Sequence, residues 1–229
     1  MKIFVHGPDL RGSYRLPDPV VDTLAERNRS EKRTYYAVDF DQEQRRRADC
    51  FLISADAALD WILEDTEILE RNLYTNPAYT GSVQQALAVL EQERMLHAES
   101  FSPGDARFLR GLNLLTLRPG AIVEGTPPES ELQAHIRALH RALRRIFFYT
   151  AGKPEARVWE VDAGAGVATA AGQIHSDLER GFIRAEVFSA AQIDQFRTPQ
   201  EARSKGLLRV VDRSYRIASG DVIDVKFNV

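Results

Sequence analysis

The sequence predicts a mixed α/β chain of more than one domain, and three observations carry that reading. Short apolar runs, Lys2 to His6 and Cys50 to Ser54, read as buried strands near the front. Between Leu59 and Leu96 the apolar period switches to helical spacing. From Arg157 onward strand-like segments return and close on the alternating run Val222 to Phe227. A length of 229 residues accommodates one large or two small domains.

The elements follow in order. Lys2 to His6 is a strand ending in glycine. Pro8 to Pro19 holds three prolines and cannot be a helix. Val20 to Arg27 is a short helix with Val20, Val21 and Leu24 on one face, started by Asp18-Pro19. Thr34 to Phe40 alternates and is a strand, Asp41 to Arg47 is wholly polar, and Cys50 to Ser54 is a continuous apolar strand. Leu59, Ile62, Leu63, Thr66, Leu69 and Leu73 mark a long helix. A breaker from Asn72 to Gly81 separates it from a second helix marked by Val83, Leu87, Leu90, Met95 and Leu96, giving an antiparallel helical hairpin. Ser102-Pro103-Gly104-Asp105 carries the signature of a helix start, an N-cap serine followed by proline. Pro119 to Val123 is a strand. Glu131 to Phe148 reads as one helix, with acids at its start and Arg141, Arg144 and Arg145 near its end, as the helix dipole favours. A last helix spans Val167 to Ser176.

Composition narrows the function classes. Hydrophobic residues at 44% and charged residues at 28% are those of a soluble globular protein. A formal net charge of −3 excludes a globally basic nucleic-acid binder but leaves room for a local basic face. The one cysteine, Cys50, sits in an apolar run and is expected to be buried and inert. No Cys/His spacing suits a metal. The apolar start is too short for a signal peptide and no stretch approaches a membrane span, so a cytoplasmic protein is expected.

Several segments resemble one family. Phe147-Phe148-Tyr149-Thr150-Ala151-Gly152, Gln173 to Val187, Lys205 to Arg209 and Ser219 to Val229 are similar to successive pieces of the C-terminal TGS domain of the YchF-type, Obg-like P-loop NTPases. Leu63 to Glu70 resembles the start of that family's helical arm, and Leu109 to Pro119 the return from it. Leu16 to Glu26 resembles a segment beyond the phosphate loop. The resemblance implies a small parallel-sheet remnant of a P-loop NTPase domain (residues 1–56 and 112–148), an inserted helical hairpin (57–111) and a ubiquitin-like β-grasp domain (149–229). It also implies a link to ribosomes and translation.

The nucleotide chemistry of that family does not carry over residue by residue. A phosphate loop needs G-x-x-x-x-G-K-[ST], where backbone amides wrap the phosphates, the lysine neutralises charge and the hydroxyl binds Mg²⁺. Gly7-Pro8-Asp9-Leu10-Arg11-Gly12 keeps the glycine spacing, but Ser13 stands at the lysine position and Tyr14 at the hydroxyl position. Pro17 and Pro19 forbid the helix that should follow, and Asp9 places negative charge where phosphate would sit. The γ-phosphate-sensing D-x-x-G would fall on Asp39-Phe40-Asp41-Gln42, without its glycine. The base-recognising asparagine would fall near Gly125 and is absent. The expectation is a non-catalytic relative that needs no cofactor. The alternative is residual GTP or ATP binding with Mg through Gly7, Arg11, Gly12 and Ser13.

The remaining expectations concern partners. Six basic residues between Arg197 and Arg216 face only Glu201 and Asp212. Arg137, Arg141, Arg144 and Arg145 form a second cluster, and Arg45-Arg46-Arg47 a third. Residues expected to contact RNA, the ribosome or a protein partner are His175, Arg180, Arg184, Arg203, Lys205, Arg209 and Arg213. His175 is also readable as a structural histidine bonded to Asp177 or backbone, whereas His135 and His140 are read as solvated or half-buried, too poorly aligned for a metal pair. A ubiquitin-like carrier would need a C-terminal Gly-Gly, and Lys226-Phe227-Asn228-Val229 has none. A further alternative is a homo-oligomeric platform using the hairpin stripe Leu63, Leu69, Leu73, Leu87 and Leu90.

Overall fold

The computed structural model describes residues 1–228. In chain order the elements are β1 (Lys2–His6), β2 (Gly12–Leu16), α1 (Pro19–Asn28), β3 (Lys32–Thr34), β4 (Tyr36–Asp41), β5 (Cys50–Ile53), α2 (Ala55–Leu73), α3 (Thr80–Leu90), α4 (Pro103–Gly111), β6 (Gly120–Ile122) and α5 (Glu129–Ala142). They continue with β7 (Arg145–Ala151), β8 (Glu155–Asp162), α6 (Val167–Ile174), α7 (Ser176–Arg180), β9 (Phe182–Ser189), α8 (Pro199–Ser204), β10 (Arg209–Val211) and β11 (Asp221–Phe227). The chain divides into two compact units: Met1–Tyr14 with Val38–Leu139, and Arg15–Ala37 with residue 140 onward. The mixed α/β, multi-unit architecture is thus present.

The first unit holds a five-stranded sheet in the order β2-β4-β1-β5-β6, in which β1 runs parallel to both β4 and β5, and β5 parallel to β6. β5 is buried along its whole length, which explains its unbroken apolar run. Ser54 starts α2 by accepting a hydrogen bond from the Ala57 amide at 3.4 Å. Helices α2 and α3 share one apolar cluster with Phe51, Trp61 and Leu109. Of the five hairpin leucines, Leu69 and Leu90 are buried there, Leu73 and Leu87 pack against it, and Leu63 alone is open to solvent. The stripe is therefore mostly consumed inside the unit.

Asp65 is buried in that cluster and accepts three hydrogen bonds: from the Leu115 amide (3.0 Å), the Thr116 amide (2.7 Å) and the Thr116 hydroxyl (2.6 Å). Burial pushes its carboxyl above the usual carboxylate range, and these donors oppose the shift. Gly120 lies opposite Phe51 in the β5–β6 pairing, where an added Cβ would sit 2.1 Å from the Phe51 ring. Gly120→Ala is expected to destabilise the unit by about 1–3 kcal/mol, the usual cost of forcing extra volume into a packed core. Denaturant unfolding of the variant checks this.

The second unit is built on a six-stranded sheet, β10-β9-β11-β7-β8-β3. β7–β8, β9–β11 and β9–β10 are antiparallel, while β11–β7 and β3–β8 are parallel. Alternation along β7 sends Phe148 into one face and Tyr149 into the other. Phe148 joins Val161, Val167, Ala171, Val187 and Ile223 beside α6. Tyr149 joins Val158 and Val222 beneath Val21 and Leu24 of α1. The Tyr149 hydroxyl donates to buried Asp18 at 2.9 Å, and Asp18 also caps α1 through the Val20 amide. Residues 15–37, which the sequence reading groups with the front of the chain, thus supply a strand and a covering helix to the C-terminal sheet.

Other expectations are corrected in detail. The helix read as Glu131 to Phe148 stops at Ala142, and Arg144 adopts a left-handed φ of 55°. Arg145 opens β7, because Ile146-Phe147-Phe148-Tyr149 is a β-branched and aromatic run that a sheet can bury on both faces. The basic cluster on that helix therefore does not exist as one face. α3 ends at Leu90, and Leu96 lies in a 3₁₀ turn, Leu96–Ala98. The Val167 to Ser176 helix is broken at His175, whose Nδ1 accepts from the Asp177 amide at 3.1 Å and caps α7. His140 is 4% exposed rather than solvated or half-buried: its ring stacks on Phe147 at 3.9 Å.

Candidate functional site

β1 lies at the centre of its sheet, parallel to β4 and β5 on either side, so the loop after it opens at the carboxyl ends of these strands, where α/β sheets bind ligands. Gly7 has φ 103°, and a Cβ there would come within 2.7 Å of the Ser54 Cβ, so only glycine fits. A cleft of about 370 Å³ is lined by His6, Gly7, Pro8, Asp9, Arg11 and Gln42. Of the four residues expected at a nucleotide, Gly7 and Arg11 share this cleft, and Gly12 and Ser13 are not among its lining.

The local chemistry departs from a phosphate cradle in three ways. The Asp9 amide, a potential anion donor, is spent on Thr126 Oγ1 at 2.7 Å. Arg11 Nε donates to Asp9 Oδ1 at 3.0 Å, with both side chains about three-quarters exposed, so the single cation is paired within its own loop. From Gly12 the chain runs on as β2 instead of a helix, so this loop does not lead into a helix N-terminus of its own. Downstream, Asp41 accepts from the Gln44 and Glu43 amides, which hold its carboxyl below the usual range.

The C-terminal basic residues are distributed over several elements. Arg203 pairs with Glu186 of β9, and Lys205 donates to the Gln195 carbonyl and to Glu201 at 2.7 and 2.6 Å. Arg209 donates to the Tyr215 hydroxyl at 3.0 Å. Arg213 donates to the Glu179 carbonyl at 3.0 Å and lies over the Phe182 ring. Arg180 pairs with Asp177, the residue His175 caps. Arg184 is exposed on β9 directly opposite Lys226 of β11. All seven side chains belong to one unit, but they do not converge on a single point. Arg45 and Arg46 of the triple-arginine turn both pair with Glu64, which lowers their value as a free cationic patch.

Glu160 collects His140, whose Nε2 lies 3.2 Å away, the Tyr36 hydroxyl and Arg145 at 3.0 Å. Burial opposes its ionisation, but these neighbours outweigh burial and hold its carboxyl below the usual range. No group of three or more potential metal ligands occurs among the described residues. No helix among them is long and apolar enough to cross a membrane.

A second cleft, of about 350 Å³, was not signalled by any sequence motif. Its floor is Glu186 and Phe188 of β9 with Val222 and Asp224 of β11, and its walls include Leu24 and Asn28 of α1, Arg197 and Leu208. The segment 193–196 is held against α1 by Arg27, which donates to the Ile193 and Phe196 carbonyls and lies over the Phe196 ring. The cleft draws on three stretches far apart in sequence, and nothing local announces it.

Residues 146–228 match the family model YchF-GTPase_C, described as a protein of unknown function (DUF933). Over 142 residues the chain is 37% identical to a "Ribosome-binding ATPase YchF" of Mycoplasma genitalium, covering 62% of this chain and 39% of that protein. It is 28% identical over 184 residues to "Obg-like ATPase 1" of Bos taurus, covering 74% and 46%. The chain therefore spans less than half the length of these relatives. Among solved structures, the Schizosaccharomyces pombe YchF GTPase aligns with a TM-score of 0.76 at 16% identity, over 93% of this chain and 86% of that one, a likeness of fold. Residues 146–228 thus carry the YchF-type C-terminal segment, and the chain is similar in sequence and in fold to the YchF-type, Obg-like ATPases.

Proposed function

We propose that this protein is a non-catalytic member of the YchF-type, Obg-like family that contacts RNA, the ribosome or a translation-associated partner through its C-terminal domain. The observation that carries the reading is the loop after β1, where Arg11 is paired to Asp9 and the chain runs on into β2, against a C-terminal segment that keeps the family's pattern. The order β8-β7-β11-β9-β10, with β11 parallel to β7 and α6 packed on one face, supports a ubiquitin-like β-grasp domain of the TGS type for residues 149–229. On this reading residues 1–56 and 112–148 are the remnant of a nucleotide domain, and 57–111 its helical hairpin insert. Relatives named as ribosome-binding support the partner class and a cytoplasmic setting. His175, Arg180, Arg184, Arg203, Lys205, Arg209 and Arg213 are the side chains that would meet phosphate.

Cosedimentation with ribosomes and binding to single-stranded RNA at low salt test the proposal. The triple variant Arg184→Glu, Arg209→Glu, Arg213→Glu is expected to weaken binding and to flatten its salt dependence by about 0.7 in log–log slope per lost phosphate contact. Failure to bind either target would overturn the reading. The shared cleft of Gly7 and Arg11 favours a second reading, residual GTP or ATP binding with Mg. Calorimetry with each nucleotide decides it, and no heat of binding is expected, because Ser13 stands at the lysine position, Arg11 is paired with Asp9 and the Asp9 amide is bonded to Thr126.

A further inference from the structure

The cleft between α1 and the 196–208 segment has a composition that the scattered surface arginines lack. It combines the half-buried ring of Phe188, the aliphatic walls Leu24 and Leu208, and a polar floor. Its volume of about 350 Å³ falls within the range of small-ligand sites. Phe196 is held at 90° to Phe188, 5.1 Å between ring centres, and Arg27 clamps it in place, so the wall is formed in advance. Among the described residues the Arg197 side chain makes no hydrogen bond or ion pair, although its backbone amide is anchored to Glu201 at 2.7 Å. Asp224 and Glu186 sit directly opposite one another on β11 and β9; Asp224 Oδ2 accepts from Lys226 at 2.7 Å and Glu186 Oε1 from Arg203, which leaves the other oxygen of each carboxylate to accept. Asn28 donates its amide N–H to the Leu24 carbonyl at 2.8 Å, which leaves its side-chain oxygen available to accept.

We propose that this cleft takes one unstacked base of a single-stranded RNA, with the ring on Phe188, the adjoining phosphate on Arg197, and the base's amino edge read by Asp224 and Asn28. The inference rests on the RNA reading above and gives it a substrate class. A base paired in a duplex cannot enter a cleft inside one domain, whereas a splayed base can stack on an aromatic ring while a guanidinium tracks its backbone. Arg197 suits a phosphate, and the floor carboxylates, Glu186 paired with Arg203 and Asp224 with Lys226, keep further lone pairs that favour bases with exocyclic N–H donors.

Fluorescence anisotropy with a labelled 12-nucleotide RNA, alone and annealed to its complement, tests this on the full chain. Phe188→Leu and Arg197→Ala are each expected to raise Kd for the single strand roughly five- to a hundredfold, the range set by removing one stacking partner. The duplex is expected to bind more weakly than the single strand. Cytidine- or adenine-containing strands should lose more from Asp224→Ala than oligouridine does. Arg197→Ala is a surface change and keeps the test alive if Phe188→Leu misfolds by thermal melting. Wild-type affinity in the cleft variants, with loss only in the Arg184/Arg209/Arg213 variant, would overturn the cleft and leave the RNA reading standing. Equal binding of duplex and single strand would also overturn it. No RNA binding by the wild-type chain would remove both.

Discussion

Asp65→Ala is expected to destabilise the first unit by about 3–5 kcal/mol, because it strands two buried amides and a buried hydroxyl at about 1–3 kcal/mol for each unsatisfied group. The three donors come from Leu115 and Thr116, on the segment that follows α4, so one carboxylate ties α2 to a stretch fifty residues further on. A loss of this size is a large part of the 5–15 kcal/mol typical of a whole domain. Urea unfolding followed by Trp61 fluorescence reads it, since Trp61 lies in the same cluster. Asp65→Asn should fail to rescue, because its NH₂ would face donors. The pH dependence of the wild type adds a signature. A carboxyl whose folded value lies above its unfolded value makes the folded state bind the extra proton in the interval between the two. This group's contribution therefore falls as pH rises from the unfolded value through the folded one. Asp65→Ala should abolish that component.

Phe148→Ala is expected to cost the second unit about 3–5 kcal/mol, the range for truncating a fully buried aromatic residue. Phe148 is inaccessible to solvent, stacks near Trp159 with ring centres 6.4 Å apart, and touches the cluster that joins α6 to the sheet. Its neighbour Tyr149 faces the other side, so the cavity would open beneath α6 and leave α1 in place. Calorimetry of the variant should show the loss, and retention of the Tyr149–Asp18 side should keep slow amide exchange at the Val20 cap. An unchanged melting profile would contradict the packing of β7.

How legible these features were depends on how local their causes are. Ser102 and Asp18 announce helix starts because a cap acts within three residues, and both make the expected hydrogen bonds, whereas Ser54, read as the end of a strand, is the cap of α2. The α5–β7 boundary is hidden in the sequence because the arginines that suit a helix end run straight into the apolar run Ile146 to Tyr149. Periodicity alone cannot tell a buried strand from a buried helix there. Pro17 and Pro19 forbid a helix without specifying β2, the strand that takes its place. The burial of His140 depends on Phe147, Tyr36 and Glu160, which meet only in the fold. At the loop after β1, the missing lysine was visible at once, but the Asp9–Arg11 pairing and the Thr126 contact with the Asp9 amide were not. The second cleft was out of reach of sequence reasoning, because Leu24 and Phe188 are brought together only by the pairing of distant strands.

The attachment of α1 and β3 to the C-terminal sheet also sets a timetable for synthesis. Thr34 and its partner Glu155 are separated by 121 positions in the chain. At about 5–20 residues per second, the first segment is made roughly 6–24 s before its partner strand exists. During that interval Val21, Leu24 and Ala25 have no sheet to cover. The nascent chain must keep this short amphipathic helix from pairing elsewhere, and a factor that shields apolar segments as they emerge would act most strongly on residues 19–28.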